Sequence, residues 1–282
     1  MAHLLQVGAG SGGMPVLDML CRDPRLTRVT LIEPDVYKPH NVVRHLFPLS
    51  AVGEAKAVLA RRWLLERRPD LVVELLPYDL CDPAQQGAIE AVAAECDLGV
   101  CAADNEPAKY HWDALMRKYG KPWTLGEVLS GGIGGFVHWF VPGGPCYGCV
   151  ASYLKRSVVV DKAPPPDYSQ PGGPVPETTI PASKASIQAI AALHALVTLG
   201  LLDDPAHPSF IPPASENKGG EFTTLLLTLQ RVPELFEEAF RPYRFRVPRA
   251  ADCLICQARP TPSSVEELDV ALDQALARLE NA

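Results

Sequence analysis

The stretch His3–Glu33, HLLQVGAGSGGMPVLDMLCRDPRLTRVTLIE, decides the fold. His3–Val7 is a short apolar run that leads into Gly8-Ala9-Gly10-Ser11-Gly12-Gly13. A helical pattern follows over Met14–Cys21, with Pro15 where a helix start tolerates it. Arg28–Ile32 reads as a second strand, and Glu33 closes it, 20 positions beyond Gly13. Strand, GxGxxG, helix, strand and acid in this order form a nucleotide-binding fingerprint in its required context. Gly8, Gly10 and Gly13 let the backbone approach phosphates, the helix N-terminus supplies unpaired N–H groups, and Glu33 accepts from ribose hydroxyls.

Outward from this unit the alternation continues. Ala55–Glu66 reads as a helix, Leu71–Leu76 as a strand, Ala84–Glu95 as a helix and Asp97–Cys101 as a buried strand. Pro107–Tyr119 is a helix with Lys109, Arg117 and Lys118 assigned to its wet side. Strands separated by helical runs imply a Rossmann-like α/β fold with a mostly parallel sheet and right-handed crossovers. After Pro122 the pattern changes: Trp123–Val128 and Gly135–Val141 read as β runs joined by Ser130–Gly134, an antiparallel extension rather than a crossover. Pro181–Leu202 reads as a long apolar helix, Phe222–Gln230 and Tyr243–Val247 as strands, and Val265–Glu280 as an amphipathic helix.

A second polar cluster, Glu33-Pro34-Asp35-Val36-Tyr37-Lys38-Pro39-His40-Asn41-Val42-Val43-Arg44, follows strand two, and Lys56 comes after Val52-Gly53-Glu54-Ala55. Asn41, Arg44 and Lys56 are expected to converge on a triphosphate, Arg as a bidentate fork and Lys as a point charge. Asp104-Asn105 sits just past the strand Asp97–Cys101, at the carboxyl edge where open α/β sheets bind ligands. Asp104 is the expected Mg²⁺ ligand. Hydride transfer leaves pyrophosphate intact and does not call for these cations. Phosphate-cleaving chemistry does, because charge develops on the phosphoryl oxygens and the leaving pyrophosphate.

The 282 residues carry a net charge of −7, with 47% hydrophobic and 21% charged residues, so a full core can be buried. The mild acidity argues against nucleic-acid binding. No apolar run of spanning length is read in the sequence, so no membrane contact is expected. Met1-Ala2-His3 has no basic n-region, so the expectation is a cytoplasmic chain with reduced thiols. The chain has 8 cysteines, and four of them form the pairs Cys146–Cys149 and Cys253–Cys256. Two CxxC pairs in a reducing compartment point to a tetrahedral Zn²⁺ site with four thiolate ligands. The 103 residues between the pairs mean that the fold has to bring them together. Cys21, Cys81, Cys96 and Cys101 read as small core residues or inert thiols. Proline is 28 of 282, about twice the usual share. Eleven of these lie between Pro164 and Pro213, so Ala163–Glu177 cannot be helix.

Taken together, the chain resembles the ubiquitin-activating-enzyme superfamily in its small bacterial form, the molybdopterin- and thiamin-biosynthesis adenylyltransferases. The residues that carry the likeness are Gly8–Gly13, Glu33-x-Asp35, Asn41-x-x-Arg44, Val52-Gly53-x-x-Lys56, Ala103-Asp104-Asn105, Pro145-Cys146-Tyr147-Gly148-Cys149, and Cys253 with Cys256. The resemblance implies one adenylation domain over 1–282, with a nucleotide-binding half in 1–145 and a crossover loop, long helix and zinc-bound part in 146–282. It implies ATP on the glycine loop, with Glu33 holding the ribose, Asn41, Arg44 and Lys56 acting on the phosphates, and Asp35 and Asn105 also among the nucleotide-binding residues. Asp104 would hold Mg²⁺, with Arg44, Lys56 and Asp104 acting in catalysis. The implied reaction is adenylation of the C-terminal carboxylate of a small ubiquitin-like protein or peptide with a Gly-Gly-type tail. A conjugating enzyme is a further partner and a homodimer the usual assembly. Ala163–Glu177 falls at the family's crossover loop.

Three departures sharpen the expectation. Glu33 stands where the family usually has Asp. Strand one starts almost at Met1, so the family's N-terminal arm, with an arginine donated to the neighbouring subunit's ATP, is expected to be absent or replaced. Between Val150 and Asp252 there is no cysteine, where many relatives place one that forms a persulfide or thioester. Activation without covalent transfer is therefore expected, with a non-catalytic scaffold that binds a ubiquitin-like protein or a conjugation partner as the alternative.

Overall fold

The computed structural model describes residues 1–155, 181–205, 208 and 222–257. The proline-rich Ala163–Glu177 segment and the expected helix Val265–Glu280 lie outside the described residues. Eight strands form one sheet: β1 Ala2–Val7, β2 Leu26–Ile32, β3 Val72–Leu76, β4 Leu98–Cys101, β5 Trp123–Val128, β6 Gly134–Phe140, β7 Thr224–Thr228 and β8 Pro242–Phe245. Their order is β3-β2-β1-β4-β5-β6-β7-β8. The first five strands run parallel and the last three are antiparallel. The Rossmann-like parallel core and its antiparallel extension are thus as expected. Ser130–Gly132 forms the turn of the β5–β6 hairpin, where Gly131 and Gly132 adopt φ of 72° and 66°, a region that costs glycine little.

The helices cover both faces. Helix α1 is Gly13–Leu20, α2 Lys56–Leu65, α3 Gln86–Glu95, α4 Glu106–Lys118, α5 Tyr147–Tyr153 and α6 Lys184–Asp203. Leu17 of α1, Leu59 of α2 and Ile190 of α6 share one core; Ile89 of α3, Trp112 of α4 and Val150 of α5 share the other. Central strands are buried on both faces, which is why Leu4, Leu5 and Val7 of β1 do not alternate with exposed polar residues and the polar His3 and Gln6 of the same strand are buried too. The short helix α5 has no counterpart in the sequence reading. Its seven residues are too few for periodicity to reveal.

Two expectations need correction. Lys109 is not on the wet side of α4 but buried, held by Glu106 at 2.8 Å and Glu127 at 2.7 Å. Two carboxylates replace its water, so the charge survives burial. Arg117 and Lys118 are exposed as expected. The second correction is α6, whose 20 residues are long and apolar enough to cross a membrane by length and composition. Its sequence is uninterrupted by charge because it packs against α1, β5 and β6, as a core helix does.

Polar side chains fasten α6 to β5 within this core. Thr198 Oγ1 donates to the carbonyl of His194 at 2.8 Å, Thr124 Oγ1 lies 2.8 Å from Thr198 Oγ1, and His194 Nε2 lies 2.8 Å from Thr124 Oγ1. With one proton per hydroxyl, the ring closes only if His194 Nε2 donates to Thr124 and Thr124 donates to Thr198. Burial pushes the His194 pKa down to about 3, against an ordinary 6.5. His194 is therefore neutral in the fold and protonatable in the unfolded chain. Its contribution to stability is fully present above about pH 6.5 and is lost as pH falls from there toward 3. Between those limits we predict up to about 1.4 kcal/mol of stability lost per pH unit from this one histidine. Urea unfolding across that range should show a shallower pH slope in His194→Gln; an unchanged slope would contradict the assignment.

Candidate nucleotide site and four-cysteine cluster

The glycine loop leaves β1 at the carboxyl edge of the sheet, with β2 on one side and β4 on the other. Gly8 has φ of +90°, and a Cβ there would sit 2.6 Å from the carbonyl oxygen of Ala102. A Cβ on Gly13 would sit 2.3 Å from the oxygen of Gly8 and 2.8 Å from the Ala102 Cβ. Both positions are closed to any side chain, whereas Gly10 has open space around it. The loop is thus pressed onto the residue that follows β4, and α1 opens with its N-terminus at the same edge. The Gln6 amide ties the turn by donating to the carbonyls of Gly8 at 2.8 Å and Gly13 at 2.9 Å.

Glu33, at the end of β2, is buried. Its Oε2 accepts from the Ala9 N–H at 2.6 Å and its Oε1 from the Asp35 N–H at 2.9 Å. Each oxygen keeps acceptor capacity beyond these bonds. Burial raises its pKa, against the pull of Lys56 and the two amides. Lys56 opens α2 and is buried, and its Nζ pairs with the exposed carboxylate of Asp35 at 2.8 Å. Asn41 lies in a short 3₁₀ turn, where its Oδ1 accepts from the Lys38 N–H at 2.9 Å. Arg44 follows it, half-buried, next to His45. Asp104 is exposed two residues beyond Ala102, and Asn105 caps α4 by accepting from the Ala108 N–H at 2.9 Å. The structure therefore brings Gly8, Gly10, Gly13, Glu33, Asp35, Lys56, Asp104 and Asn105 to one sheet edge, with Asn41 and Arg44 in the segment that links Asp35 to α2.

Sequence reasoning missed two residues here. His45 is buried, and its Nε2 donates to the Ala9 carbonyl at 2.8 Å while its Nδ1 accepts from the Phe47 N–H at 3.4 Å. Both ring nitrogens are satisfied in the neutral form, and burial lowers the pKa to about 4. Lys184, at the start of α6, donates to the His45 carbonyl at 3.1 Å. His45 directly follows Arg44 in the polar cluster, which was the available signal. Nothing in the sequence indicated that Lys184, 139 positions further on, would return to it.

The four paired cysteines meet. Their sulfurs all lie within 4.8 Å of one another. Cys146 and Cys149 are 3.7 Å apart, Cys146 and Cys253 3.5 Å, and Cys149 and Cys256 3.6 Å. Four thiolates at about 2.3 Å from a tetrahedral ion would stand about 3.8 Å apart, so the donor set and its spacing fit a metal. The Ala250 N–H donates to Cys149 Sγ at 3.4 Å. Both residues between the first pair have a reason. A Cβ on Gly148 would sit 2.7 Å from Ile255, and Tyr147 anchors α4. The other cysteines divide as expected: Cys21, Cys96 and Cys101 are core residues, and Cys81 is exposed in a turn.

Among solved structures the chain is similar in fold to Escherichia coli MccB. The MccB–succinimide structure matches with a TM-score of 0.64 at 17% identity, over 90% of this chain and 66% of that one. The complex with MccA-N7isoASN matches with a TM-score of 0.64 at 18% identity, over 91% and 67%. The complex with AMPCPP and MccA matches with a TM-score of 0.61 at 18% identity, over 90% and 66%. The chain thus spans about two thirds of the MccB length. No curated protein matches. The family model described as "ThiF family" matches residues 1–232, most of the chain, and on that match the chain belongs to the ThiF family.

Proposed function

We propose that the chain is a single adenylation domain that uses ATP to activate the C-terminal carboxylate of a small ubiquitin-like protein or peptide. The observation that carries this reading is the gathering, at one sheet edge, of the glycine loop, the Lys56–Asp35 pair and the exposed Asp104. In this reading the loop amides and the α1 N-terminus take the phosphates, and the spare lone pairs of Glu33 take ribose hydroxyls. Lys56 exchanges its exposed partner Asp35 for phosphate oxygens. Arg44 adds a second cation. A Mg²⁺ ion held by Asp104 would spread charge over the phosphates. A carboxylate oxygen of the substrate then attacks the α-phosphorus and the bond to the β-phosphate oxygen breaks, giving acyl-adenylate and pyrophosphate. Preorganised cations stabilise the charge that develops on the leaving group.

The remaining thiols support activation without a thioester. Burial pushes Cys101 up to about 12 and Cys21 and Cys96 to about 11, so none of them is a nucleophile near neutral pH. Exposed Cys81 is raised as well, by partial burial and by Asp79. Structures of MccB with the MccA peptide support a peptide-like substrate for this chain too. The four-cysteine cluster is assigned to structural Zn²⁺, because a closed set of four thiolates leaves no position for chemistry.

Exchange of labelled pyrophosphate into ATP tests the reaction, with Mg²⁺ and candidate substrates ending in a free carboxylate. We predict exchange with the cognate substrate. Lys56→Ala and Asp104→Ala should each lower its rate by about 10²–10³-fold. Tight ATP binding with no exchange for any ubiquitin-like or peptide substrate would leave the non-catalytic scaffold instead. Metal analysis of the purified protein is predicted to give one zinc per chain, lost in Cys253→Ser; a stoichiometry well below one in the unaltered chain would refute the zinc assignment.

A further inference from the structure

Helix α4 carries Asp104 and Asn105 at its entrance, and one residue of the cysteine motif holds that helix at two points. The Tyr147 N–H donates to Asp113 Oδ1 at 2.9 Å, and the Tyr147 hydroxyl reaches the Glu106 carboxylate at 2.9 and 3.0 Å. Asp113 and Glu106 are two turns apart, so one residue braces about 10 Å of helix. Tyr147 is buried beside Cys146 and packs edge-on against Tyr110, ring centroids 5.0 Å apart. Glu106 is the first residue of α4 and lies two positions from Asp104. It pairs with buried Lys109, which pairs in turn with Glu127 of β5. Glu127 meets His138 of β6 at 3.0 Å, and His138 meets Thr224 of β7 at 2.9 Å. A second brace reaches α4 from the other cysteine pair. Arg117 pairs with Asp113 at 3.2 Å and reaches the Ile255 carbonyl at 3.5 Å.

This network is expensive to bury unless all its members are satisfied. The adenylation chemistry above makes no use of Tyr147, Glu106 or Lys109. The cysteine cluster closes α5 and the segment 253–256 into one unit, and that unit is bonded to α4 through Tyr147 and Arg117. We propose that Tyr147, Glu106 and Lys109 are positioning residues that transmit the rigidity of the four-cysteine cluster to the Asp104-Asn105 turn, setting how tightly the divalent ion of the nucleotide complex is held. The inference rests on the adenylation reading, in which Asp104 holds that ion. Groups hydrogen-bonded directly behind a metal ligand typically change metal affinity by about 10–100-fold when mutated. This brace acts one step further back, through the α4 backbone, so the low end of that range is expected.

Binding of Mn²⁺ in the presence of ATP, with the protein in excess over the nucleotide and an ATP-only titration as the reference because ATP binds Mn²⁺ by itself, tests this without turnover through the electron paramagnetic resonance signal of free Mn²⁺. Tyr147→Phe removes only the hydroxyl, and Glu106→Gln keeps an acceptor for Tyr147 but removes the charge that faces Lys109. We expect both variants to retain full zinc and wild-type affinity for ATP without a divalent ion. Mn²⁺ should bind to their ATP complexes about tenfold more weakly. In pyrophosphate exchange the same variants should need correspondingly more Mg²⁺ for half-saturation, with the rate at saturating Mg²⁺ nearly unchanged. Wild-type Mn²⁺ affinity in both variants would overturn the relay and leave the adenylation reading standing. Loss of zinc from Tyr147→Phe would also overturn it, by making Tyr147 part of the cluster's own stability. Failure of the unaltered protein to bind Mn²⁺ with ATP at all would sink the adenylation reading, and the relay with it.

Discussion

The contact on which the structure turns is between the glycine loop and Ala102. Gly13 approaches Gly8 so closely that a Cβ would stand 2.3 Å from its carbonyl oxygen, and Gly8 does the same to Ala102. Backbone therefore packs on backbone where three elements meet: the end of β1, the start of α1 and the end of β4. That meeting fixes β4 beside β1, points the α1 N-terminus outward at the carboxyl edge, and leaves the chain after Ala102 to present Asp104 there. A methyl group in this contact would push apart the elements that define the site.

Around that contact the site is assembled from groups that are largely paired already. Glu33 holds the Ala9 and Asp35 amides, His45 holds the Ala9 carbonyl, and Lys56 holds Asp35. Ala9 is thus gripped through both its N–H and its C=O. In the proposed nucleotide site, preorganisation of this kind would lower the reorganisation needed when phosphate arrives. The pairing of buried Lys56 with exposed Asp35 keeps a cation at the edge without leaving its charge uncompensated in the core. On the far side of α4 the four cysteines do a comparable job for the Asp104-Asn105 turn, through Tyr147 and Arg117.

Much of this was legible in the sequence, for reasons that particular residues make plain. The glycine spacing and the position of Glu33 depend on local chain geometry, so they identified β1, α1 and β2 directly. The change of pattern after Pro122 marked the antiparallel strands, because Ser130–Gly134 is too short for a crossover. The two CxxC pairs were readable as a set because four cysteines in two such pairs can serve one tetrahedral ion, and the fold brings their sulfurs together. Lys109 was misread because helical periodicity cannot see Glu127, which arrives from a strand 18 positions away. Helix α5 was missed for its length. His45 and Lys184 were missed because their hydrogen-bond partners are backbone groups, which leave no trace in side-chain pattern. The apolar character of α6 was visible, but its membrane-like composition only finds its explanation in the sheet face and α1 against which it packs.

The central claim is that this edge joins a carboxylate to the α-phosphorus of ATP. It is tested most directly by labelling the two C-terminal carboxylate oxygens of the cognate substrate with ¹⁸O, letting one turnover finish, and weighing the nucleotide. Attack by the carboxylate leaves a substrate oxygen bridging to phosphorus, so release of the acyl group by a nucleophile at its carbonyl gives AMP that carries one ¹⁸O, with pyrophosphate as the other product. Release of ADP and phosphate, or of AMP without the label, would contradict the account.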